Sequence, residues 1–175
     1  MRLRALTTAD ALPLPRFFAA IPEDDRNFFK EDIGDPRTAW RWAEDDLRVL
    51  LVAESDDVFG GVVTVWPGVG RASHVGDLRL GVAADHRRRR FGGRASPAGS
   101  CSALRRGLTN ITVEVTREQQ GTSDLFLGIG FRAEALLHDH LRDPDSALHD
   151  VVLRAHLTEE RWADMLIAGL DEPLS

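Results

Sequence analysis

The chain has 175 residues, 43% of them apolar and 29% charged, which fits one globular domain able to bury its own core. A single cysteine, Cys101, excludes an internal disulfide and a multi-cysteine zinc site. The net charge is −6, yet residues 71–94 hold seven arginines against Asp77 and Asp85, a local +5 that leaves −11 on the remainder. An acidic protein with one basic block suits a small polyanion better than a nucleic acid. The start Met1-Arg2-Leu3-Arg4 runs to Asp10 without an apolar segment, and Val58–Gly70 is too short and glycine-rich to span a bilayer. The expectation is a cytoplasmic protein with no membrane partner.

Residues 2–6 alternate and predict a first strand. Thr7 followed by Asp10 marks a helix start, and Pro13 and Pro15 should shorten or split that helix. Residues 23–33 read as a charged loop carrying Phe28 and Phe29. Asp35-Pro36 begins a second helix as cap and first position, with Trp40 and Ala43 expected on its buried face. Residues 48–54 and 58–66 are β-branched runs joined by Ser55-Asp56-Asp57, a hairpin pattern. Residues 75–83 predict a third long strand, with Val75, Asp77 and Arg79 on one face and Gly76, Leu78, Leu80 and Val82 on the other. A helix over 93–106, a strand over 111–115, a short helix over 123–128 and strands over 131–138 and 148–153 follow. Residues 155–175 are expected to add a C-terminal helix and tail, with Trp162, Met165 and Leu166 at helical spacing. The pattern predicts one α+β domain over 1–175 with a mixed, mainly antiparallel sheet of six or seven strands and helices on both faces.

The stretch Leu78-Arg79-Leu80-Gly81-Val82-Ala83-Ala84-Asp85-His86-Arg87-Arg88-Arg89-Arg90-Phe91-Gly92-Gly93 ends a strand, turns through a basic loop and opens a helix. Free N–H groups and the positive dipole end at a helix start, together with arginine forks, make an anion site suited to a pyrophosphate. A solvated basic loop would have the same composition. A nucleic-acid module would need aromatics interleaved with the arginines, and there are none.

This stretch resembles the acetyl-CoA signature of the GNAT acetyltransferase superfamily, an Arg/Gln-x-x-Gly-x-Gly/Ala loop. Arg87 matches its first position and Gly92 its last, while Arg90 stands where the middle glycine belongs. The segment Asn110–Val115, then Gln119, then Leu125-Phe126-Leu127-Gly128-Ile129-Gly130-Phe131, is similar to that family's fifth strand and following helix. The tail His138–Asp143 with His149-Asp150 is similar to its closing strands. The resemblance covers roughly residues 1–154.

The resemblance implies acetyl transfer from acetyl-CoA, as co-substrate, to a primary amine of a small molecule or protein, with no metal. It implies cofactor contacts from Leu80, Gly81, Val82, Arg87, Arg88, Arg89, Arg90, Phe91, Gly92, Gly93, Gln119 and Phe126. Glu114 or Asp77 would accept the amine proton, and His74 is a third candidate. A homodimer is compatible with this reading. His138 and His140, two apart, share a strand face, and a metal pair with His149 would be the rival use for them. Cys101 reads as a small core residue.

Three departures stand out. Arg90 replaces a glycine, Pro97 and Gly99 fall inside a helix, which should then start late or kink, and the chain has no tyrosine. The superfamily's usual proton donor falls at Phe126, which has no proton to give. The alternative reading is therefore a catalytically weak acyl-CoA-binding or sensing protein of the same fold.

Overall fold

A computed structural model describes residues 2–26, 29, 31–55, 58–87, 91–143 and 145–157, with the backbone alone for Asp24, Ser55, Phe91 and Arg94. Arg88, Arg89 and Arg90, Phe28 and the tail from Thr158 lie outside the described residues.

Strand β1 (Arg2–Ala5) leads into a 3-10 turn (Thr8–Ala11) and helix α1 (Leu14–Ala20). The turn and helix are separate because Pro13 interrupts the amide ladder. Asp10 accepts hydrogen bonds from the Thr7 backbone N–H at 2.7 Å and from the Arg4 guanidinium at 2.7 and 2.8 Å. Burial pushes the Asp10 carboxyl up, but those hydrogen bonds outweigh it and hold the group below its ordinary value. Short helix α2 (Glu23–Arg26) occupies part of the stretch expected to be loop. Helix α3 (Pro36–Ala43) starts as the sequence predicts, with Asp35 accepting from the Arg37 N–H at 2.9 Å. Its buried residues are Thr38, Ala39 and Trp42, whereas Trp40 is 49% exposed. The expected face was therefore wrong. The helix turns Trp42 inward because Phe18 and Phe29 receive its indole, at ring separations of 5.1 and 5.8 Å.

The remaining elements are β2 (Val49–Ser55), β3 (Val58–Pro67), β4 (Val75–Val82), α4 (Phe91–Arg105), β5 (Asn110–Thr116), α5 (Gln120–Gly128), β6 (Arg132–Arg142) and β7 (Leu148–Leu157). They complete a seven-stranded sheet of order β1-β2-β3-β4-β5-β7-β6, antiparallel except for β4 and β5. Strand β7 continues through Leu157, so residues 155–157 are strand where the C-terminal helix was expected to begin.

Alternation along the strands builds two cores. Val63, Val65, Leu78, Ile111, Val113 and Val115 pack with α4 residues Ala95, Ala98 and Ala103 and with Phe126 of α5. Leu50, Val52 and Val62 pack on the other face with Leu14, Phe17, Phe18 and Trp42 of α1 and α3. Helix α4 neither starts late nor breaks. It runs from Phe91 with Pro97 as its seventh residue, which leaves the Gly93 carbonyl without its usual donor. Cys101 is buried in this helix. Among the described residues no helix is long and apolar enough to cross a membrane.

Candidate active site

Strands β4 and β5 begin as a parallel pair, with Val75 opposite Asn110, Gly76 opposite Ile111 and Asp77 opposite Thr112. There the ladder stops, while β4 stays paired with β3 from Gly76 through Val82. The Ala83 N–H donates to the Gly60 carbonyl of β3 at 3.1 Å. By the two-residue alternation of an antiparallel ladder, the Gly81 and Arg79 N–H groups also point toward β3. Those of Leu80 and Val82 point the other way, into the gap left by β5.

The gap is a cleft of about 570 Å³. Leu78, Leu80 and Val82 form one wall, and Val113 and Glu114 the facing strand. Leu125 and Phe126 of α5 add an apolar wall, with Gln119 at that helix's N-cap. At one end lie His86, Arg87, Gly92 and Gly93, so the cleft runs up to the first turn of α4. A Cβ on Gly92 would stand 2.5 Å from Leu125 Cδ2 and 3.2 Å from Leu80 Cδ2. Glycine there lets α4 begin close against both walls.

Continuing the β4–β5 register would set Arg79 opposite Glu114. Their backbones have parted, but their side chains meet. Arg79, only 5% exposed, donates from Nη2 to Glu114 Oε2 at 3.0 Å and to Asp77 Oδ2 at 2.9 Å. One guanidinium therefore joins the two strands on the α1–α3 side just where the ladder ends.

Most of the sequence-derived candidates gather here. Leu80, Val82, Arg87, Gly92, Gly93, Gln119, Phe126 and Glu114 all line the cleft. Asp77 is off the lining and touches the site through Arg79. Gly81 is also off it, and backs onto Phe29 and Ile21 of the other core. Arg87 forms an ion pair with Asp25 of α2, which bridges the basic turn to the opposite helix layer. Arg88, Arg89 and Arg90 and the side chain of Phe91 lie outside the described residues. His74, exposed before the start of β4, is not on the cleft lining. Gln119 turns its side-chain oxygen back to the Thr116 N–H at 3.3 Å.

Phe126 is 1% exposed and packs edge-on against Phe131 at 5.0 Å. Glu118, also at the cleft, is held below its ordinary value by a hydrogen bond from its own N–H, against slight burial, with help from Thr116 and His149. His149 bonds Asp143 at 3.0 Å, and His138 lies 3.3 Å from Asp150. The β6–β7 register shifts between Leu137 and Leu141, and Asp139 has φ +50. The irregularity interrupts the simple alternation that put His138 and His140 on one face. Sequence reasoning missed Arg79, His86, Asp25 and Leu125 as cleft residues. The signal for Arg79 was present, an arginine on the same strand face as Asp77.

No family model matches the sequence, and no curated protein does. Solved structures do match. A ribosomal-protein-alanine N-acetyltransferase from Brucella melitensis is 17% identical, with a TM-score of 0.78, over 90% of this chain and 99% of that one. The yncA protein of Salmonella typhimurium, solved with its cofactor acetyl-CoA, is 16% identical, with a TM-score of 0.76, over 90% of this chain and 94% of that one. A GNAT-family acetyltransferase from Streptococcus pneumoniae is 19% identical, with a TM-score of 0.73, over 89% and 98%. The seven-stranded sheet, its parting β4–β5 pair and these likenesses together give the chain the GNAT acetyltransferase fold.

Proposed function

We propose that the protein transfers an acetyl group from acetyl-CoA to a primary amine of a small molecule or a protein. The observation that carries this reading is the parting of β4 from β5. It exposes the Leu80 and Val82 N–H groups along a cleft that ends at the first turn of α4.

The residues present fit such a ligand. An extended pantetheine amide chain matches a strand edge with unused hydrogen-bonding groups. A pyrophosphate matches the N-terminus of α4, which the basic sequence run Arg87-Arg88-Arg89-Arg90 precedes. Acetyl-CoA, when bound, supplies an activated thioester. Leu80 and Val82 then orient its arm, and the Val82 N–H polarises the thioester carbonyl. Leu125 and Phe126 keep water from the apolar wall. An attacking amine must be neutral, so a base has to take its proton. Of the lining carboxylates Asp25, Glu114 and Glu118, Glu114 is the one on β5 and serves as that base directly or through a water. Arg79 holds it in place, and Asp77 on the same guanidinium is the reserve.

Phe126 supports the second reading, an acyl-CoA-binding protein with weak catalysis. It fills the place of a proton donor with a buried ring, and the departing thiolate must take its proton from water. Two measurements separate the readings. Isothermal titration tests CoA binding, and thiol release in the presence of a panel of small amines and N-terminal peptides tests transfer. Release that depends on an amine supports the enzyme. Tight CoA binding with no release for any amine supports the binding protein. Absence of CoA binding by folded protein overturns both.

A further inference from the structure

Beside α5, residues of β5, β7 and α5 line a second, smaller cavity of about 210 Å³, which shares Gln120 with the first cleft. Its lining is Val115, Thr116 and Arg117 from the end of β5, Gln120 and Ser123 from the first turn of α5, and Val152 and Arg154 from β7. None of these was expected to be functional from sequence.

Arg154 is the unusual member. It is 8% exposed, and it sits opposite Val113 in the β5–β7 ladder, on the face that carries the apolar core. Its Nη2 donates to Ser123 Oγ at 2.7 Å. Its Nε is buried with no hydrogen-bond partner. No carboxylate among the described residues lies within ion-pair distance of it. Arg117 adds a second guanidinium, engaged only at 3.7 Å with Asp150. An arginine stays charged at any working pH, and a buried charge with one neutral partner is costly. Helix α5 adds to the imbalance, because Gln119 at its N-cap makes no side-chain cap to the first turn.

We propose that this cavity is a binding site for a small tetrahedral oxyanion of the phosphate type. The guanidinium fork of Arg154 and the hydroxyl of Ser123 supply donors. Arg117 closes the exposed side. Val115 and Val152 give the apolar walls that strengthen such bonds. The volume admits one such ion with a few waters and excludes a nucleotide. This inference does not depend on the acetyl-transfer reading.

The test is thermal unfolding of the full chain with inorganic phosphate against chloride at equal ionic strength, run with and without saturating CoA so that the turn at Arg87 is either blocked or open. The expected result is a phosphate-dependent rise in Tm that persists under CoA. Arg154→Gln should abolish it. Ser123→Ala and Arg117→Gln, which are milder, should each reduce it and decide the matter if Arg154→Gln does not fold. Acetate in place of phosphate should give a smaller rise. No phosphate effect at matched ionic strength, or one unchanged in Ser123→Ala and Arg117→Gln, overturns the proposal. A phosphate effect that CoA removes assigns the ion to the cofactor turn and overturns it equally.

Discussion

The two edges of β4 differ in a way that organises the whole site. Toward β3 the strand is paired from Gly76 to Val82 without a register shift. Toward β5 it is paired only from Val75 to Asp77. The same eight residues thus serve as a rigid wall on one edge and an open hydrogen-bonding surface on the other. The lesson is that a paired edge holds the unpaired one in shape. An edge strand left alone would be mobile and prone to foreign pairing, but β4 is central and its open half is backed by β3.

The largest expected effect tests the chemistry placed at the open edge. Glu114→Gln should lower turnover about 10²–10⁴-fold, the usual worth of a general base. CoA affinity should hold, because the change leaves the N–H groups of Leu80 and Val82 untouched. Asp77→Asn, off the lining, should cost less. Steady-state kinetics beside calorimetric CoA titration reads both.

Next comes the strap across the parting. Arg79→Met removes the guanidinium that joins β4 to β5. It should destabilise the fold by about 3 kcal/mol, the low end for breaking a buried ion pair, since both carboxylates are partly exposed. Urea unfolding measures it. A loss well under 1 kcal/mol would show that the strands keep their spacing without it.

Two glycines then compare the paired half of β4 with the α4 end of the cleft. A Cβ on Gly76 would stand 2.6 Å from Val65 Cγ1 and 3.0 Å from Ile111 Cδ1, inside the paired half. Gly76→Ala should cost about 1–3 kcal/mol of stability through overpacking and leave CoA affinity alone once the protein is folded. Gly92→Ala pushes on the flexible end of Leu125 at the cleft. It should weaken CoA binding several-fold with little loss of stability. If the two substitutions exchange their effects, the separation of a structural paired half of β4 from a binding cleft fails.

The smallest effect lies far from β4, at the turn between β6 and β7. Asp143 raises the His149 pKa by hydrogen bonding, and His149 lowers that of Asp143. The stability from His149 is fully present below its unfolded pKa and is lost as pH rises through the raised folded value. That from Asp143 is present above its unfolded pKa and is lost as pH falls through the lowered folded value. The pair therefore contributes between the two. In an NMR titration Asp143→Asn should bring the His149 pKa down toward its ordinary 6.5, with no change in CoA affinity.

Much of this architecture was legible in the sequence because local chemistry carries it. Asp35-Pro36 announces α3, the two β-branched runs announce β2 and β3, and the alternation from Val75 to Val82 assigns both faces of β4. The basic turn before Gly92 pointed to the end of the cleft. What stayed hidden depends on distant partners. Trp42 rather than Trp40 is buried because Phe18 and Phe29 stand across from it. Gly81 faces the α1 core because β4 is covered on both sides. The parting of β4 from β5 leaves no mark in either strand's periodicity. Arg154 lies just past the strand expected over 148–153, and only the β5–β7 register sets it opposite Val113, beside Ser123 of α5. Pro97 sits in a regular helix because its cost falls on one carbonyl, while the alanines of α4 pack on the sheet.

The most direct measurement is amide hydrogen exchange along β4, with and without saturating CoA. Leu80 and Val82 should exchange freely in the unliganded protein and become protected when CoA binds. Gly81 and Arg79, already paired to β3, should change little. CoA binding that protects the first turn of α4 and leaves Leu80 and Val82 exchanging as before would contradict the assignment of the open edge of β4 as the binding surface.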